Sequence, residues 1–439
     1  MVDGLRPYPE YRSSHLPWAE KIPAHWDVRR NARLFAERNE TGFPDLPILE
    51  VSIRTGVTVR DLQNGKRKQM MADRAKYKRA VRGDIAYNMM RMWQGAVGTA
   101  PVDGLVSPAY VVARPFAEVD SRFYSYLFRT HAYMNEVNKF SRGIVTDRNR
   151  LYWEEFRQMP SIFPPPEEQK TITSFLDSHA ALVAKFIRTK RRQIELLRQQ
   201  QRTVIDRALN CADPKSWATK RLKYVVSNIN DQCSSLGPDD IYIALENVGS
   251  WTGRVHLPDG TVEFDSQVKR FVEGDILFGK LRPYLAKVTR PDRSGVCVSE
   301  FLVLRISDPD VMAEFLEQKL RSASFIDAVN SSTIGAKMPR ANWDFIGTLP
   351  VSFPKSQSEQ HIIIDRITEE NANLDLAIAA LERQIEHVRA FRTRLIADVV
   401  TGQLDVRNAI TDVPPDIGDA LEAQEEESPE PEEVAVGDE

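Results

Sequence analysis

The residue types that carry most enzyme chemistry are present but dispersed. Seven histidines (His15, His25, His131, His179, His256, His361 and His387) stand singly along the 439 residues. Three cysteines (Cys211, Cys233 and Cys297) form no C-x-x-C pair. A metal site needs several ligands at a spacing that gathers them round one ion, and neither residue type offers that. No G-x-x-x-x-G-K-[ST] phosphate loop, H-E-x-x-H pair or G-x-S-x-G elbow occurs. Asp84 and Asp275 each sit in a Gly-Asp-Ile segment ahead of an apolar run. A Gly-Asp turn accounts for both, and no second polar partner recurs with them. No catalytic or cofactor-binding residue and no metal ligand is expected in this chain.

The loops offer cations, aromatics and amides instead. In the first half these are Lys66-Arg67-Lys68, Lys76 and Lys78 around Tyr77, and Arg91 with Trp93 and Gln94. A further run holds Arg142, Thr146, Arg148, Asn149 and Arg150. In the second half they are Trp251 with Arg254, Lys280 with Arg282 and Tyr284, and Ser332 with Lys337 and Arg340. Lys and Arg reach phosphates, Arg bridges a guanine edge, and Asn or Gln bridges adenine. These are the candidate DNA contacts. The net charge of −3 conceals a basic body, because residues 411–439 carry twelve acidic residues and no Lys or Arg. Residues 1–165 hold 26 Lys and Arg against 18 Asp and Glu. A basic body is compatible with nucleic acid without establishing it.

The elements that carry these loops are duplicated. Val81–Arg91 (VRGDIAYNMMR) aligns with Val272–Arg282 (VEGDILFGKLR) at an offset of 191, and Trp26 with Trp217 at the same offset. Ser107–Arg114 matches Ser299–Ile306, and Gly143–Arg148 matches Gly335–Arg340, both at 192. A period this long is no solenoid; it is a domain-sized unit repeated once. Each copy begins with strand-like runs and a Gly turn, continues through a short amphipathic helix (residues 122–140 in the first), and ends in a long helix.

The first long helix is predicted from Pro164 to Asn210, started by the Pro run and Glu167-Glu168 and free of Pro and Gly thereafter. At about 1.5 Å per residue it is about 65 Å long and needs a partner. Its heptad rows include Leu176, Val183, Ile187, Ile194, Leu197 and Val204, diluted by Lys190 and Gln201. The second runs from about Gln357 to Thr401 and stops at Gly402. Its rows include Leu374, Ile378, Leu381, Ile385, Val388 and Leu395, in the same register under the 191-residue shift. The expected fold is α+β: two similar α/β domains separated by two long helices that pair as an antiparallel coiled coil with pseudo-twofold symmetry. The expected divisions are 1–160, 161–212, 213–350, 351–405 and an acidic disordered tail at 406–439.

This layout resembles the DNA-specificity subunit of type I restriction-modification systems over about residues 20–405. The most specific segments are PSIFPPPEEQKTITSFLD from Pro160 and its counterpart PVSFPKSQSEQHIIIDRI from Pro350. The second departs by placing Lys355-Ser356-Gln357 after Pro354, while keeping Glu359-Gln360. The resemblance implies two target-recognition domains, each reading half of a split duplex DNA sequence. It also implies two modification (methyltransferase) subunits docked on the helices and a restriction/translocase subunit in the full enzyme. S-adenosylmethionine, ATP and Mg²⁺ would belong to those partners and not to this chain. A coiled-coil scaffold joining two protein-binding domains is the alternative reading. No apolar run of 18 residues suggests a membrane span, the N-terminus lacks a signal-peptide core, and the sparse cysteines fit the cytoplasm.

Overall fold

The computed structural model describes residues 5–60, 74–143, 149–210, 215–234, 237, 240–257, 267–333 and 338–409. The chain divides into two compact units, one formed by residues up to 191 and from 382 onward, the other by residues 192–381.

In the first unit a four-stranded antiparallel sheet runs in the order Phe35–Arg38, Tyr110–Pro115, Ile85–Asn88, Val97–Thr99. The helices Ser121–Phe128 and His131–Phe140 follow it in sequence, and a core rich in Phe35, Tyr87, Phe123, Tyr124, Phe128, Tyr133 and Phe156 joins helices and sheet. Sequence periodicity suggests one helix over 122–140; the structure has two. Asp120 caps the first by accepting from the amides of Arg122 and Phe123, and Thr130 caps the second by accepting from the Tyr133 amide. An N-cap side chain is a local stop-and-restart signal that apolar spacing does not register. The strand-like run at 46–60 is a hairpin, Leu49–Ser52 with Gly56–Val59, turned at the left-handed Gly56.

The second unit repeats the sheet order with Val226–Ile229, Phe301–Ile306, Ile276–Gly279 and Val288–Thr289. Its helices Ala313–Arg321 and Ala323–Asn330 match the earlier pair. The pair Asp27–Arg30 with Pro160–Phe163 likewise recurs as Trp217–Arg221 with Pro350–Pro354. A second four-stranded sheet runs Gln232–Cys233, Val268–Phe271, Gly295–Val298, Ile241–Ile243, and its middle recurs in the first unit, where Lys78–Ala80 pairs antiparallel with Gly104–Val106 and Ile48 bridges Leu105 in parallel.

The long helices span Pro166–Leu209 and Gln357–Val400, and the second ends at the left-handed Gly402. They pack together antiparallel. In the first unit the His179 ring lies 5.9 Å from Phe391, and Phe175 and Leu176 share a core with Leu395, Val399 and Val400. In the second unit the Gln201 amide donates to Asp375 at 2.9 Å, and Leu209 shares a core with Ile367. Of the heptad residues, Leu176, Val183, Ile187, Ile194, Ile378, Ile385 and Leu395 are buried; Leu197, Val204, Leu374, Leu381 and Val388 are partly so.

The start of each helix explains the most specific sequence segment. Gln169 is fully buried; it accepts from the Asp120 amide at 2.9 Å and donates to the carbonyls of Glu118 (3.3 Å) and Pro164 (2.8 Å). Gln360 repeats this with the Met312 amide (2.9 Å) and the carbonyls of Asp310 (2.7 Å) and Pro354 (2.8 Å). One amide side chain has the two donors and one acceptor that fasten a helix start to the preceding loop. Glu168 is also buried: its carboxylate accepts from Tyr8 Oη (2.6 Å) and Trp26 Nε1 (3.0 Å), with His25 Nε2 2.7 Å away.

The N-terminal segment is more regular than its composition suggests, forming the hairpin Tyr11–Ser13 with Lys21–Pro23. The chain after the second helix is likewise built in: Val406 is fully buried in the first core, and the Asp405 amide donates to the Arg6 carbonyl. The acidic segment expected from 406 is thus ordered and packed as far as Ala409, because Val406 is an apolar anchor; residues 410–439 lie outside the described residues.

Candidate nucleic-acid interface

In both units two loops far apart in sequence are stitched side by side. The first leaves the strand of the Gly-Asp-Ile segment. There Asp84 is buried, accepts from the Val81 amide at 2.8 Å and pairs with Arg38 Nε at 2.6 Å. Asp275 accepts from the Val272 amide at 2.9 Å and takes a two-pronged contact from Arg305 at 2.8 Å. These aspartates close the turn and anchor the strand. The second loop lies between the short helices and the next strand. The Leu151 amide donates to the Met89 carbonyl at 2.9 Å, and the equivalent Ala341 amide donates to the Lys280 carbonyl at the same distance. In the second unit the Arg282 amide also donates to Pro339 O at 2.8 Å.

The sequence candidates divide by what their side chains already do. In the first unit, Arg142 and Arg150 form an antiparallel bridge, each amide donating to the other's carbonyl at 2.9 Å, and both are exposed. Asn149 donates to Asn138 at 3.1 Å. Thr146 and Arg148 lie outside the described residues, as do Lys337 and the Lys66-Arg67-Lys68 run. Arg91 leads into a short turn of helix, Met92–Gln94, with Gln94 exposed. Trp93 packs its ring on the core and donates its indole N–H to the Met90 carbonyl at 3.0 Å. Lys76 is exposed, whereas Lys78 donates to the Tyr110 carbonyl at 2.9 Å, and burial pulls its pKa down.

In the second unit, Lys280, Arg282 and Tyr284 follow the strand directly. Arg282 is exposed and left-handed (φ 49°), a costly conformation for a residue with a Cβ. Ser332 donates to the Val329 carbonyl at 2.8 Å, finishing a helix. Arg340 is exposed beside the equally exposed Met338. Trp251 and Arg254 are turned to the helices: the Arg202 guanidinium lies 4.3 Å over the Trp251 ring, and Arg254 pairs with Asp375 at 2.7 Å. The structure therefore gathers Lys280, Arg282, Tyr284 and Arg340 at one place; Trp251 borders them through its amide, which donates to the Leu285 carbonyl at 3.1 Å, while its ring and the Arg254 side chain face the helices.

Sequence reasoning passed over two carboxylates at these loops. Glu155 pairs with Arg142 Nη2 at 2.9 Å, and Glu300 with Arg340 Nη2 at 3.0 Å. The one available signal was the Ser299-Glu300 dipeptide, a charge where the first copy has Ser107-Pro108. Among the described residues no group of His, Cys, Asp and Glu could hold a metal ion, and no helix is long and apolar enough to cross a membrane.

This is the fold of a type I restriction-modification component. A chain of the solved structure described as "Structural basis underlying complex assembly and conformational transition of the type I R-M system" superposes with a TM-score of 0.61. It is 15% identical, and the match covers 86% of this chain and 98% of that one. The HsdS subunit from Thermoanaerobacter tengcongensis aligns over 86% of this chain and 96% of its own at 16% identity, with a TM-score of 0.43. In sequence, the chain is similar to the type I restriction enzyme EcoDI specificity subunit of Escherichia coli, 25% identical over 197 residues. That stretch is 44% of this chain and 43% of the relative, so the chain spans less than half the length of the curated relative it matches. No protein-family model matches. The likeness to specificity subunits is thus found again in sequence, and the fold is shared with a chain of a type I R-M system.

Proposed function

We propose that this chain is a non-catalytic DNA-reading subunit of a type I restriction-modification complex, with each unit reading one half of a bipartite duplex target. The single observation that carries the reading is the doubled interface: the same two loops, stitched by the same backbone hydrogen bond in both units, bear different basic and aromatic residues. A shared scaffold with unlike loops is what two readers of unlike sequences require, because base edges are read by side chains and phosphates by charge.

In this reading the helix pair sets the spacing between the half-sites and docks two modification subunits, and a restriction/translocase subunit completes the enzyme. S-adenosylmethionine, ATP and Mg²⁺ act in those partners. The test is binding of the chain, assembled with type I modification subunits, to duplex DNA of varied sequence. Selective binding with a steep salt dependence is expected. A scaffold joining two protein-binding domains would show no preference among sequences.

A further inference from the structure

We infer that each unit carries one arginine braced by a carboxylate to read a guanine: Arg340 on Glu300 in the second unit and Arg142 on Glu155 in the first. The inference rests on the DNA-reading role proposed above and names the residues that give it specificity. In both pairs Nη2 of the arginine meets Oε1 of the glutamate, at 3.0 Å and 2.9 Å. The arginine side chains are 61% and 76% exposed, while the glutamates are sunk to 22% and 11%. The other glutamate oxygen, Oε2 in each case, is buried without a hydrogen-bond partner. Each brace is therefore a fixed foot under an outward-facing cation.

The two pairs are not copies of each other. Arg340 aligns with Arg148 and not with Arg142, Glu155 lies in the short helix Trp153–Phe156, and Glu300 immediately precedes the strand Phe301–Ile306. Duplication therefore does not account for the shared device; the same solution is built from different positions at the same pair of loops.

Its physics favours a base edge over a phosphate. A phosphate contact draws its strength from a full positive charge that releases counterions, and a carboxylate at 3 Å cancels much of that charge. A base contact draws its strength from orientation. Bracing fixes a side chain whose free rotamers are costly to order, and it uses one of five N–H donors, leaving a fork for the O6 and N7 of guanine. Arg282 is the contrast: exposed, and paired with no carboxylate among the described residues, it has the character of a phosphate contact.

The test uses the full chain assembled with its modification subunits and a randomised duplex library, with the salt dependence of binding measured alongside. Glu300→Gln keeps the shape and loosens the brace; Arg340→Lys keeps the charge and removes the fork. Both are expected to lower the preference for guanine at one position of one half-site by about tenfold, with the salt slope unchanged in Arg340→Lys and not reduced in Glu300→Gln, which removes a negative charge. Glu155→Gln is expected to do the same in the other half-site. Arg282→Ala is expected to weaken all sequences alike and reduce the salt slope by about one. Motifs that stay intact in all three brace variants would overturn the inference, as would uniform weakening with a reduced slope in Arg340→Ala. A wild-type complex without any sequence preference would overturn the DNA-reading role itself.

Discussion

Replacing Gln169 is expected to release the start of the first long helix. The side chain is fully buried and makes three hydrogen bonds, to the Asp120 amide and to the Glu118 and Pro164 carbonyls. At about 1 kcal/mol net per neutral bond, Gln169→Ala loses about 3 kcal/mol, and more where the three backbone groups stay dry. Gln169→Met fills the same space without the polar groups, so it separates the bonds from the cavity. About 3 kcal/mol corresponds to a fall in amide protection on the order of a hundredfold wherever opening is local. Hydrogen exchange followed on peptides covering residues 118–128 and 164–176 reads this directly. Both variants are expected to lose protection there. Wild-type protection in Gln169→Met would refute the claim that this glutamine fastens the helix by hydrogen bonding.

Gln360→Met is expected to act in the same way on the second unit, losing protection at residues 310–320 and 354–367, with the first unit unchanged in the same exchange experiment. His179 provides a pH test. Burial, and then the charge of Arg392, holds its pKa below the ordinary histidine value, so the unfolded chain takes up the proton first. Stability contributed by this site is full above about pH 6.5 and is lost as pH falls below it. His179→Phe, which keeps the ring between Phe175 and Phe391, is expected to flatten that slope in denaturant titrations at pH 7.5 and 5.5; an unchanged slope counts against it. Inserting one heptad into each long helix keeps the seam in register, and is expected to lengthen the spacer between half-sites while leaving the half-sites themselves unchanged. Methylation mapping reads both, and altered half-sites would contradict the spacing role.

What the sequence discloses follows from how each feature is encoded. The repeat was legible because the turn of Asp84 and Asp275, the buried Trp26 and Trp217, and the helix-starting Gln169 and Gln360 all serve the same local geometry twice. The helices were legible from periodicity together with their end signals, the Pro run with Glu167-Glu168 and Gly402, to within two residues at either end. The break at Thr130 was not, because one capping hydroxyl outweighs a continuous apolar pattern. Composition pointed to the loops as candidates. It could not say that Trp251 lies under Arg202 or that Lys78 is tied to the Tyr110 carbonyl. Those contacts depend on partners 49 and 32 residues away in the chain, which the sequence alone does not pair. The braces were invisible for the same reason: Glu300 and Arg340 are 40 residues apart, and neither is unusual by itself.

The most direct test of the account is methylation mapping of the genome in cells with and without this chain, a type I methyltransferase subunit being present in both. The account predicts that one methylated motif disappears with the chain, and that this motif consists of two specific parts separated by a fixed run of unspecified bases. An unchanged methylation pattern, or a lost motif in one uninterrupted part, would contradict it.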